Sequence, residues 1–213
     1  MTRPDVAARR ARRSGQRGQS LVEFAMVVTV MMLLLLGMLE FGFVFDHHLT
    51  VEYASREGAR TASALANGGG VVGCGTGQSP NAASVDKQII AAVQRVLTSP
   101  GSPVVPSRVG SIKIYKATST GAVSGSSVNT WVYSAGAGPV VDGKALDFIQ
   151  SGGTGWAACL RNNNTPADSV GVSLTYSYHL VTPLSAVMGF FGGGGPTTIP
   201  ITDKTVMALN PGT

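Results

Sequence analysis

Cysteine is scarce in this 213-residue chain, at two positions, Cys74 and Cys159, which excludes a cysteine-built metal cage and a disulfide-dense scaffold. Charge is also thin. Charged residues make up 13% of the sequence, too few for a solvated, charge-patterned coil, and aromatics make up 7%. Neither HExxH nor GxxxxGK[ST] occurs, so the sequence offers no zincin helix and no phosphate-cradling loop. No paired carboxylates and no cysteine or serine nucleophile arrangement stand out, and His179 lies in a strand pattern without a nucleophile motif. An enzyme is therefore not expected, and neither a cofactor nor a metal is called for.

The charge that is present is unevenly placed. The net charge is +5, and residues 1–18 hold Arg3, Arg9, Arg10, Arg12, Arg13 and Arg17 against Asp5 alone, so this leader supplies all of it. A basic patch next to a hydrophobic run is a topology signal rather than a nucleic-acid footprint, and no nucleic-acid partner is expected. Phe24 to Phe45 is apolar apart from Thr29, Gly37 and Glu40. At 1.5 Å per residue it reaches about 33 Å, enough to cross a lipid bilayer. Arginines before the span and a nearly neutral region after it predict a cytoplasmic N-terminus and an exported remainder.

Three export readings fit such an N-terminus. A secretory signal would have a shorter apolar core with a small-residue site directly behind it, whereas Ala62-Ser63-Ala64 lies far beyond this one. A twin-arginine address at Arg12-Arg13 is followed by polar Ser14-Gly15-Gln16-Arg17-Gly18 and an unusually greasy core. The third reading cuts on the cytoplasmic side, after Gly18, and leaves the span attached. Gly at the cut, Glu23 as the fifth residue after it and Phe24 as the sixth match the processing site of the type IV pilin superfamily. Three blocks then follow in order: Arg17-Gly18-Gln19-Ser20-Leu21-Val22-Glu23-Phe24-Ala25, Leu39-Glu40-Phe41-Gly42, and Tyr53-Ala54-Ser55-Arg56-Glu57-Gly58-Ala59-Arg60. Over residues 17–66 the chain resembles the TadE-like minor pilins or pseudopilins of the tight-adherence (Flp) pilus system.

That resemblance implies a prepilin peptidase that recognises residues 1–18 as a leader and cuts between Gly18 and Gln19. It implies assembly roles for Glu23, Phe24 and Glu40. A new amine at Gln19 would lie four residues before Glu23, on the same helix face. In pilin assemblies the corresponding Glu is thought to pair with a neighbour's N-terminal amine. The alternative is that Glu23 only marks the headgroup boundary, where charge is cheap. Glu40 lies about 24 Å along the helix from Phe24. Two readings stand for it: snorkelling to water, or the helix-packing role that its Glu-Phe-Gly block suggests.

Beyond the span, residues 46–66 keep helical composition. Leu49, Tyr53, Ala54, Ala59, Ala62 and Leu65 form an apolar stripe opposite Glu52, Arg56 and Arg60, so one helix from about Leu21 to Ala66 is expected, within an N-terminal segment of residues 19–67. Asn67-Gly68-Gly69-Gly70 should end it. Asp46-His47-His48 is not expected to bind metal, because adjacent helix positions diverge by about 100°. Ser84 to Leu97 patterns as a second amphipathic helix, with Val85, Ile89, Ala92, Val93 and Val96 opposite Asp86, Lys87, Gln88, Gln94 and Arg95. Alternation predicts strands at Ile112–Lys116, Trp131–Tyr133, Val170–Leu180 and Thr197–Leu209, the last at a sheet edge because of Pro200. Ser124–Ser127 and Gly192–Gly195 read as loops, with Phe190 and Phe191 either a buried loop anchor or an exposed tip.

The fold expected is α+β: a long N-terminal helix, transmembrane over about residues 24–45, then an antiparallel-sheet ectodomain over residues 68–213 with one packed helix. Cys74 and Cys159 both fall outside the membrane in this topology, where a bridge would add about 4 kcal/mol on chain-entropy grounds; two free thiols are the alternative. The function expected is that of a minor pilin or pseudopilin in the bacterial cytoplasmic membrane. Its partners would be the prepilin peptidase, other minor and major pilins, the inner-membrane assembly platform and the lipid bilayer. A membrane-tethered surface protein or adhesin outside any filament is the runner-up, and a secreted carbohydrate-binding or hydrolytic domain is the third reading.

Overall fold

The computed structural model describes residues 6–65, 82–183, 186 and 198–210. The chain divides into two compact units, Met1–Phe43 with Leu180–Thr197, and Val44–His179 with Thr198–Thr213. Helix α1, Val6–Leu65, contributes to both and starts well before the expected Leu21, since nothing in the leader breaks a helix after Pro4. Residues 66–81, which hold the expected glycine stop, lie outside the described residues.

Within the first unit, α1 from Phe24 to Leu39 is apolar on every side apart from Thr29. Leu21, Phe24, Met26 and Met38 are all at least two-thirds exposed. A helix that shows hydrocarbon all round has no core of its own to face, and that composition suits lipid. The hydroxyl of Thr29 donates to the Ala25 carbonyl at 2.8 Å, so even this polar group is satisfied within the helix.

The second unit is a five-stranded antiparallel sheet in the order β5-β2-β1-β6-β7. The strands are β1 Val109–Ala117, β2 Val123–Tyr133, β5 Phe148–Ser151, β6 Ser169–His179 and β7 Thr198–Ala208. Between β2 and β5 a short hairpin pairs β3, Val140–Val141, with β4, Lys144–Ala145. Its turn is Asp142-Gly143, both with positive φ (51° and 76°), the combination that matches the twist of a two-residue hairpin. Pro200 sits in edge strand β7, where a missing N–H is tolerated.

Residues 44–65 of α1 and helix α2, Ala82–Leu97, pack on one face of this sheet. A Cβ built on Gly58 would meet Val93 Cγ2 of α2 at 2.7 Å and Val172 Cγ1 of β6 at 3.0 Å, so glycine is what lets the three elements meet. Beneath lie Ile112 and Ile114 of β1, Trp131 of β2, Phe148 of β5, and Leu174 and Tyr176 of β6, all buried.

The sequence stripes need correction at particular positions. On α1, Ala54, Ala59 and Ala62 of the expected stripe are buried, but Leu49 and Tyr53 are exposed, and His47, Val51, Ser55 and Gly58 complete the buried face in their place. Small residues win because the helix lies close to the sheet. On α2 Gln94 is buried rather than solvated; its Nε2 donates to Asp147 Oδ2 at 3.0 Å, and its Oε1 accepts from the Asp147 N–H at 2.8 Å. Ser124–Ser127 is not a loop but part of β2, inserted between the pairs Ala117–Val123 and Tyr115–Val128 as an irregularity that Gly125, at φ 56°, accommodates.

Candidate anchor and assembly residues

Gly18, Gln19, Glu23 and Phe24 are exposed on an uninterrupted helical stretch of α1. A Cβ on Gly18, Gly37 or Gly42 would meet no atom within 4 Å, so these glycines leave the helix surface open. The part from Gly18 to Leu65 is long and apolar enough to cross a membrane, with a best-window mean hydropathy of 2.4.

Glu40 differs from this surface. It is 4% exposed, and its two carboxylate oxygens accept hydrogen bonds from successive main-chain N–H groups, Val181 at 3.0 Å and Thr182 at 2.9 Å. Its carboxylate thus meets two N–H donors of a segment 141 and 142 residues away in sequence. Two main-chain donors to one carboxylate are charge-assisted hydrogen bonds that offset the cost of burying it. No local sequence signal reveals such a partner.

In the second unit His47 is buried, stacked on Tyr176 (centroids 5.7 Å apart) and edge-on to Tyr178 at 4.8 Å. His48 is half-buried, and no cluster of three or more metal-binding side chains occurs among the described residues. His179 is exposed at the end of β6. Ser55 ties α1 to β7: its hydroxyl bonds the Asp203 carboxylate and lies 2.8 Å from Thr205 Oγ1. Glu57 and Arg60 form a two-pronged surface pair, at 2.9 and 2.7 Å. The hydrogen bond from Arg60 holds the Glu57 carboxyl below its ordinary value, burial opposes this, and the charges of Arg60 and Arg95 add to the lowering.

A buried polar cluster joins α2, β2 and the segment after β5. Arg161 Nη2 pairs with Asp86 Oδ1 at 2.5 Å, and the guanidinium carbon lies 4.7 Å from the centre of the Trp156 ring. Asn129 donates to Asp86 Oδ2 at 2.6 Å and to the Trp156 carbonyl at 2.7 Å, and accepts from the Trp156 N–H at 2.9 Å. Cys159, in the adjacent 3-10 turn Ala158–Leu160, is disulfide-bonded. Cys74 lies outside the described residues, as do Phe190, Phe191 and Gly192–Gly195.

Residues 18–60 match the family model for TadE-like protein. No curated protein and no solved structure matches the chain. The TadE-like segment begins at Gly18 and ends at Arg60, so it takes in the open apolar helix and the part of α1 that packs on the sheet. The match covers 43 of the 213 residues, all of them on α1. Among the described residues, one helix, within this TadE-like match, has the length and composition of a membrane anchor.

Proposed function

We propose that this protein is a minor pilin or pseudopilin that helps assemble or initiate a tight-adherence-type pilus. A prepilin peptidase removes residues 1–18 on the cytoplasmic side. The mature chain, beginning at Gln19, stays in the bacterial cytoplasmic membrane through residues 24–45 and carries its sheet domain outside. From there the helix enters the assembly platform laterally and meets other minor and major pilins.

One observation carries this reading: the TadE-like match covers residues 18–60, the stretch that holds Gly18, Gln19, Glu23 and Phe24 ahead of the apolar span. Supporting it, Gln19, Glu23 and Phe24 are exposed on one continuous helix, available to a peptidase or a neighbouring subunit. Glu23 is then the acid that finds a neighbour's terminal amine, while Glu40 is already held within its own chain. The disulfide of Cys159 is assigned to Cys74, and peptide mapping that recovered two free thiols would overturn that pairing.

N-terminal determination of protein from the native host tests the whole proposal. Gln19 as first residue is the expected result. Met1 or Thr2 would instead mean a simple membrane tether, and a start near residue 65 a secreted domain.

A further inference from the structure

The sheet of the second unit has its helices on one face. Pleating sends alternate side chains to opposite faces, and with Val172 and Leu174 of β6 beneath the helices, Ser173 and Thr175 point the other way. The same alternation leaves Lys113 exposed between buried Ile112 and Ile114, and exposes Thr202 and Lys204 on β7.

Strand register aligns these residues into a strip. Lys113 stands opposite Thr130 on one side and Ser173 on the other, and Ser173 stands opposite Lys204. Two lysines therefore flank one serine, separated by two strand spacings, roughly 9.5 Å. The adjacent row, Ser111, Thr175 and Thr202, adds three hydroxyls.

Neither lysine forms an ion pair with a described residue. The carboxylates nearest in sequence or register are turned elsewhere. Asp203, beside Lys204, bonds Ser55 on the helix side, and Asp168 pairs with Lys116 at 2.8 Å. Among the described residues this strip therefore carries positive charge only.

The strip lacks the anchors that protein partners and single-stranded nucleic acids use. Protein interfaces centre on accessible aromatic or arginine anchors, and single-stranded nucleic acids stack on aromatic platforms. The aromatic residue of this face, Tyr115, is 2% exposed, its ring lying against Gly171, where a Cβ would come within 2.3 Å of it. What remains is a sheet face of hydroxyls with two exposed lysines. We propose that the strip of Lys113, Ser173 and Lys204 docks an acidic polysaccharide, its carboxylates meeting the lysines and its sugar hydroxyls meeting the Ser and Thr rows. This inference stands apart from the pilin reading, because it concerns the sheet domain whatever the fate of the leader.

The test is binding of the full chain, in detergent micelles, to polygalacturonate, with neutral dextran and poly-glutamate as comparators. Saturable binding to polygalacturonate that weakens with added salt is expected, with none to dextran. The Lys113→Gln, Lys204→Gln double variant should lose at least tenfold in affinity. Lys113→Arg with Lys204→Arg should retain binding, and Lys144→Gln, on the distant hairpin, should not change it. No binding to polygalacturonate, equal binding to poly-glutamate, or an equal loss in Lys144→Gln would each overturn the proposal.

Discussion

The Glu40 carboxylate takes the main-chain N–H of Thr182 at 2.9 Å, 142 residues away in sequence, and the N–H of Val181 beside it. The carboxylate is buried, and such a group left without its donors costs about 1–3 kcal/mol, so the two part-buried bonds hold segment and helix together. Glu40→Ala should therefore free this segment. In hydrogen exchange on the micelle-bound protein, the Val181 and Thr182 amides should exchange at least tenfold faster, while β6 amides such as Val172 keep their protection. Unchanged protection at both amides would show that the carboxylate does not hold the segment.

Gly58 is where α1, α2 and β6 converge, and a larger residue must push Val93 or Val172 aside. Valine is stiff at χ1, so neither yields cheaply. Gly58→Val is expected to destabilise the fold by about 1–3 kcal/mol, as overpacking does. Val93→Ala in the same chain should recover part of that loss. A double-mutant cycle by thermal unfolding reads the coupling directly, and strict additivity would argue against the contact.

Legibility in the sequence followed the length and strength of each pattern. The apolar run of α1 and the alternation of β6 are long, and both elements occur where the sequence places them. Local pattern failed where a tertiary neighbour decides. Tyr53 reads as apolar stripe yet is 66% exposed, because the face that meets the sheet belongs to small residues such as Ala54 and Gly58. Gln94 reads as solvated yet is buried, because Asp147 supplies both of its partners. Ser124–Ser127 reads as a linker because bulged edges and flexible loops share a Gly/Ser composition. β5 is four residues long, too short for its own period. The acidic positions of the TadE-like segment could be located in the sequence, but the Val181 and Thr182 donors that satisfy Glu40 could not.

Arg161 is fully buried and neutralised by Asp86. Removing one partner of such a pair strands a charge, at a cost of about 3–5 kcal/mol. Asp86→Ala should reach that range in denaturant unfolding. Asp86→Asn, which keeps acceptor capacity for the guanidinium, should cost less. The two variants behaving alike would mean that the charge of Asp86 is not what matters.

Glu57 brings a small acid sensitivity. Its carboxyl is held below the ordinary value of 4.5, chiefly by the Arg60 hydrogen bond, so the folded state binds its proton less readily than the unfolded chain does. The stabilisation is complete above 4.5 and is lost as pH falls through the lowered value. Melting-temperature profiles of the parent and Glu57→Gln should therefore differ at neutral pH and converge in acid. A gap that persists or widens in acid would reverse the assigned sign.

Glu23 is exposed on the helix surface, one turn from the expected new amine at Gln19. Insertion of the helix depends on the summed apolar length from Phe24 to Phe45, which one substitution at the boundary does not change. Assembly, in the proposed mechanism, depends on that single carboxylate meeting a neighbour's ammonium. Glu23→Ala in the native host should consequently leave membrane fractionation and removal of the leader unchanged while reducing pilus number. Glu23→Asp, with the charge kept but drawn back, should lie between the two. Normal piliation with Glu23→Ala would sink the pairing and leave the acid as a marker of the headgroup boundary.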